Sequence, residues 1–178
     1  ASKNGIVNGV GGGLFDPDAS LTREQMAMML YRFAGYLGSN TEKRADLSAY
    51  GDADAVSAFA QDAMAWAVAE GLVNGRSAAE LGPKAGATRA ELATILFRYA
   101  EKHGYRTDAR LNGLELFYDE GYVSQYAYEA LRWATAEGLI GGSAENSRLL
   151  LDPGGSATRA QVATILMRFV QNCRAEPA

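Results

Sequence analysis

The chain repeats itself, and the repetition restricts its fold more than any other feature. Thr-Arg stands three times in similar surroundings, as Thr22-Arg23-Glu24-Gln25, Thr88-Arg89-Ala90-Glu91 and Thr158-Arg159-Ala160-Gln161, at spacings of 66 and 70 residues. Upstream, Gly5-Ile6-Val7-Asn8-Gly9, Gly71-Leu72-Val73-Asn74-Gly75 and Gly138-Leu139-Ile140-Gly141-Gly142 recur at 66 and 67, so the third connecting loop holds three extra residues. Further upstream, Asp52, Ser57, Phe59-Ala60 and Trp66-Ala67 match Asp119, Ser124, Tyr126-Ala127 and Trp133-Ala134, and nothing before Gly5 supplies a third copy. Residues 1–38 thus read as the rear half of a first copy, with complete copies at 39–104 and 105–178. Repeats of this size cannot bury their apolar face singly, so the copies are expected to share one core.

Each complete copy reads as helix, Gly-x-x-x-Gly loop, helix. The rear helices start at Thr22, Thr88 and Thr158. Each threonine is placed to cap a helix, and Gln25, Glu91 or Gln161 three residues on completes a capping box. Apolar residues then follow at helical spacing: Met26, Met29, Leu30 and Phe33; Leu92, Ile95, Leu96 and Tyr99; Val162, Ile165, Leu166 and Phe169. The front helices, about 58–70 and 125–137, are alanine-rich and end at Gly71 and Gly138, where glycine supplies a left-handed cap. Ser39 to Ser48 and His103 to Gly113 read as surface linkers. Strand patterns are scarce, so the fold class expected is all-α, with three helix-loop-helix copies in a pseudo-threefold bundle. In such a bundle Phe33, Tyr99 and Phe169 meet near one axis.

Composition narrows the function. With 48% hydrophobic and 21% charged residues the 178-residue chain is globular, and its net charge of −4 argues against nucleic-acid binding. No apolar run reaches the roughly 20 residues of a membrane helix, so membrane insertion is not expected. Ala1 to Asn8 carry no basic-then-apolar leader; a secretory signal is absent or already removed. The single cysteine, Cys173, excludes an internal disulfide framework. The single histidine, His103, leaves no Ser-His-Asp, Cys-His or histidine metal set. Asp16-Pro17-Asp18 begins like a calcium loop but has Leu21 and Ala27 where glycine and glutamate belong. Gly9-Val10-Gly11-Gly12-Gly13 is neither a dinucleotide fingerprint nor a phosphate loop. A pair of carboxylates without histidine can hydrolyse glycosides, yet nothing marks such a pair, so no enzyme, cofactor or metal is expected.

Arg23, Arg89 and Arg159 are the residues singled out. Each occupies the first turn of a helix, where the macrodipole favours acids, so each guanidinium is expected to serve either an anionic ligand or an acidic neighbour such as Asp52 or Asp119. Trp66 and Trp133 occupy matching positions and suit either core packing or a sugar-stacking face. Gly75 and Gly142, with the other loop glycines, supply positive φ at turns or let backbone approach a ligand closely.

These motifs together resemble the bacterial S-layer homology (SLH) domain, usually found in three tandem copies. Its F-x-P loop position is held by Phe15-Asp16-Pro17, Leu81-Gly82-Pro83 and Leu151-Asp152-Pro153, and its Thr-Arg-Ala-Glu helix start is intact at Thr88 to Glu91. The resemblance implies a secreted, non-catalytic anchoring module at the cell wall or S-layer surface of a bacterium. Its partner would be a secondary cell-wall polymer, typically a pyruvylated glycan, held in inter-repeat grooves. Arg89 is then the leading candidate to clamp the ketal carboxylate, with Arg23 and Arg159 as counterparts. The departures are Glu24 for alanine, Gln25 and Gln161 for glutamate, and no aromatic in the second loop. The missing front helix of copy one leaves apolar surface to be covered by a preceding helix of a longer chain, or by a second copy in a homo-oligomer or domain swap. The alternative reading is a protein-interaction or self-assembly domain.

Overall fold

In a computed structural model, residues 16–108 and 113–173 are described. Among the described residues the chain forms five α-helices: α1 Arg23–Tyr36, α2 Gln61–Ala69, α3 Arg89–Lys102, α4 Gln125–Ala136 and α5 Arg159–Asn172. A hairpin, β1 Ser143–Glu145 and β2 Arg148–Leu150, pairs antiparallel in the loop that carries the three extra residues. This hairpin departs from the all-α expectation. Its turn residues Asn146 and Ser147 both have positive φ, 49° and 61°, the tight two-residue geometry whose twist matches that of paired strands.

The three rear helices begin as expected. Thr22, Thr88 and Thr158 each accept from the N–H of the third helical residue, whose side chain accepts from the threonine N–H in return. Every residue of the three apolar stripes is buried. The front helices end at Gly71 and Gly138 with φ of 70° and 66°, so glycine is required there, as expected. The start of the second copy's front helix is tighter than expected, a 3-10 turn at Ala58–Ala60 leading into α2.

The chain forms two compact units, Ala1–Ala87 with Thr158–Ala163, and Thr88–Ala157 with Thr164–Ala178. In the first, α1 packs on α2, with Tyr31 edge-on to Trp66 at 5.5 Å. In the second, α3 packs on α4, with Phe97 edge-on to Trp133 at 5.6 Å, and Tyr99 lies 6.0 Å from Phe169. The unit of packing is therefore a rear helix with the front helix of the following copy. The third copy also packs within itself, since Phe169 of α5 lies edge-on to Trp133 of α4 at 6.2 Å.

The loop ahead of each rear helix follows one rule. Asp16, Gly82 and Asp152, each preceding a proline, hold positive φ of 49°, 67° and 51°. The carbonyls that follow accept the first N–H groups of a helix. Pro83 and Ala85 serve α1, Pro153 and Gly155 serve α3, and Pro17 and Ala19 serve α5, at 2.9 to 3.1 Å. These bonds satisfy helix-start donors that capping leaves over. Short antiparallel bridges reinforce them at Ser20 with Thr158, Thr22 with Gly86 and Thr88 with Ser156.

Candidate functional site

A helix-start arginine and a loop aspartate grip one peptide from both sides. In the first unit, Arg23 Nε donates to the Leu81 carbonyl at 3.2 Å and Nη2 to the Asn74 carbonyl at 2.7 Å. The Asp52 carboxylate accepts from the N–H groups of Leu81 and Gly82 at 2.8 and 2.7 Å. In the second unit Arg89 Nε donates to Leu151 at 3.0 Å and Nη2 to Gly141 at 2.9 Å, while Asp119 accepts from Leu151 and Asp152 at 2.7 Å each. Thus each aspartate commits both oxygens to loop amides, and the arginine pairing that was one of its two open roles is not made by a direct bond. The amides of Leu81 and Gly82 hold the Asp52 carboxyl below its ordinary value, and the charge of Arg23 adds to this.

The arginines are not equivalent. Arg23 and Arg159 are buried, at 5% and 9% exposure, whereas Arg89 is half-buried. Among the described residues nothing accepts from Arg89 Nη1, so that end of the fork keeps its donors. Desolvation pulls the Arg89 guanidinium below its ordinary value, and the charges of Asp152 and Asp119 offset this only in part. A partly desolvated cation with unused donors favours an arriving anion. For Arg159, the loop positions matching Leu81 and Asn74 are Phe15 and Asn8, which lie outside the described residues, as does the Gly5 to Gly13 stretch.

Of the two roles open to the tryptophans, the structure leaves core packing. Trp66 and Trp133 are 0% and 1% exposed, so neither ring offers a face to a sugar; their alanine-rich helices draw them inward against Tyr31 and Phe97. Trp133 Nε1 donates to the Arg106 carbonyl, while Trp66 Nε1 is buried without a hydrogen-bond partner. Gly75 and Gly142 also need correction, since neither has positive φ. They are required by crowding: a Cβ on Gly75 would stand 2.7 Å from the Tyr50 ring and 2.5 Å from the Ser77 carbonyl oxygen, and one on Gly142 would stand 2.7 Å from the Phe117 ring. The close approach seen is to the chain's own loop.

One charged cluster escaped the sequence reading. Glu24, at N2 of α1, is 3% exposed, and its carboxylate accepts from the Ser57 N–H and hydroxyl at 2.9 Å each and pairs with Lys84 Nζ at 2.6 Å. Burial pushes this carboxyl up, but the bonds from Lys84 and Ser57 outweigh it and hold it below its ordinary value. Its signs in sequence are an acid in a helix's first turn and glutamate at Glu24 where the other two copies have Ala90 and Ala160. Among the described residues no cluster of histidine, cysteine or acids is arranged for a metal, and no helix is long and apolar enough to cross a membrane.

Comparison with known proteins gives three findings. The model of the S-layer homology domain matches residues 1–27 and 49–93. The Surface-layer 125 kDa protein of Lysinibacillus sphaericus is 30% identical over 97% of this chain, and an endoglucanase of Bacillus sp. (strain KSM-635) is 34% identical over 61%. This chain spans 14% and 12% of those proteins. An undecaheme cytochrome from the S-layer of Carboxydothermus ferrireducens aligns with 97% of this chain and 20% of its own length, at a TM-score of 0.49 and 19% identity.

Proposed function

The chain carries S-layer homology sequence over residues 1–27 and 49–93, and from that premise we propose that it binds an acidic, pyruvylated cell-wall glycan through its helix-start arginines, Arg89 foremost. Its location is the bacterial cell surface or S-layer, and its role there is that of an anchoring module. The observation that carries the glycan reading is the half-buried Arg89, fixed by Leu151 and Gly141 yet with donors unused at Nη1. Two backbone bonds pre-orient the guanidinium, so a carboxylate meets a fork whose position is already set. Arg23 and Arg159, being buried, are weaker participants in this reading. Three copies in a pseudo-threefold bundle are part of it, supported by the like pattern of loop-to-helix bonds at the starts of α1, α3 and α5.

The enzyme names among the relatives do not extend to this chain in the proposal, because it spans only 12% of the endoglucanase and 6% of an amylopullulanase from Thermoanaerobacterium thermosulfurigenes. A second reading, a protein-interaction surface, draws on exposed Leu116, Tyr118 and Tyr122 of the second unit. Retention on purified sacculi separates the two. The glycan reading requires retention to disappear once the non-peptidoglycan polymer is stripped, and retention on stripped sacculi would overturn it in favour of the second.

A further inference from the structure

Asn74 and Gly75 stand where the first unit's loop meets the Arg23 guanidinium. The Asn74 side chain is exposed, and among the described residues neither its amide nor the Gly75 N–H has a hydrogen-bond partner. Its main-chain carbonyl, by contrast, is fixed, accepting from Arg23 Nη2 at 2.7 Å. Gly75 is fixed as well, enclosed by the Ser77 and Glu80 carbonyl oxygens and the Tyr50 ring, which leave no room for a Cβ. The part of this dipeptide left to move is therefore the Asn74 side chain. It lies beside an amide nitrogen with a free N–H and no Cβ to crowd an approach. Asparagine is a thermolabile residue, and this is the setting in which its side-chain amide is attacked by the next nitrogen along the chain.

We propose that Asn74-Gly75 is a self-modification site, at which water converts the asparagine into an isoaspartate whose new carboxylate pairs with Arg23. The Gly75 nitrogen gives its proton to solvent base, and its electron pair attacks Asn74 Cγ. A bond forms from that nitrogen to Cγ, the Cγ–Nδ2 bond breaks, and Nδ2 takes up a proton and leaves as ammonia. In the resulting cyclic imide the Gly75 nitrogen is shared by Cγ and the main-chain carbonyl carbon of Asn74. Water opens the ring at one of those two carbons. Arg23 donates to the oxygen on the main-chain carbon, so it draws electrons from that carbon and directs water there. The old peptide C–N bond then breaks, the Gly75 nitrogen regains a proton, and the chain runs on through Cγ. The oxygen that Arg23 already holds becomes part of a free carboxylate, and an ion pair replaces a bond to a neutral carbonyl. The second unit has Gly141 at the matching place, its carbonyl held by Arg89 Nη2 at 2.9 Å, and glycine has no side chain to react. The modification therefore adds a negative charge beside the first unit's arginine and leaves the second unit's arginine as it is. Asn8-Gly9, the counterpart in the first copy, lies outside the described residues. The inference does not rest on the proposed function.

The test is peptide mapping by mass spectrometry after the folded, unaltered protein has been incubated in mildly alkaline buffer. Isoaspartate and aspartate at position 74 are separated by chromatography, and a synthetic peptide of residues 68–80 is treated alike. The folded protein should convert Asn74 and give an isoaspartate-to-aspartate ratio severalfold above that of the peptide. In Arg23→Gln, with folding checked by circular dichroism, the ratio should fall to the peptide's. An Asn74 that stays intact in the folded protein while the peptide converts overturns the proposal without any variant having to fold. So does conversion of the folded protein at the peptide's own ratio, or a folded Arg23→Gln chain that keeps the raised ratio.

Discussion

Single side chains in this protein act chiefly on backbone. Gly75 is enclosed by two carbonyl oxygens and the Tyr50 ring, so Gly75→Ala should cost about 1–3 kcal/mol in urea unfolding. Gly71, with φ of 70° and open space around a Cβ, should lose only about 1 kcal/mol on the same change. Acid sensitivity belongs to this scale too. Glu24 is held below 4.5 and Asp52 below 3.8, so both lie lower in the folded than in the unfolded chain. The stability they contribute is complete above the unfolded values and is lost as pH falls through the folded ones. Thermal scans from pH 6 downward should therefore show a fall beginning below about pH 4.5, shallower in Glu24→Gln; equal slopes would count against the Glu24 cluster. Burial pushes the Cys173 thiol up to about 12, so thiol reagents at neutral pH should react only as the chain unfolds. The apolar stripes were legible in sequence because a period of 3.6 reports burial directly. The arginine's partners were not, since Leu81 lies 58 residues from Arg23 and offers a carbonyl, a group every residue has. Tryptophan misled because one position suits a core and a sugar platform equally well, and only packing decides.

Helix starts and loops carry the next level of organisation. The capping boxes were readable because Thr-x-x-Glu/Gln is a local code, and Thr88→Ala should cost about 1 kcal/mol in a thermal or urea melt. The hairpin was hidden because β1 and β2 are only three residues each and have exposed faces, which leaves no alternation to read. Its strain is specific: Ser147 holds φ of 61°, so Ser147→Gly should stabilise the protein by about 0.5–1 kcal/mol, and a β-branched residue there should do the reverse. Arg89 belongs to this scale as well. Because it fastens Leu151 and Gly141 to the start of α3, Arg89→Ala should lower the melting temperature as well as any affinity, a stronger structural effect than the helix-start argument alone suggests.

At the scale of the molecule, sequence copies and packing units are offset by half a copy. The rear helices α1 and α3 each pack on the front helix that follows, so a copy cut out at 39–104 should fold poorly, whereas residues 16–87 keep α1 with α2. Circular dichroism of the two fragments tests this, and a well-folded 39–104 fragment would contradict it. The central claim is that the second unit's helix-start cation holds an acidic wall glycan. Calorimetry of a pyruvylated disaccharide against the unaltered chain and against Arg89→Ala, with circular dichroism confirming that the variant is folded, measures it directly. Saturable binding that weakens by about 2–5 kcal/mol on the change is the predicted result, whereas undiminished affinity in a folded Arg89→Ala chain would contradict it.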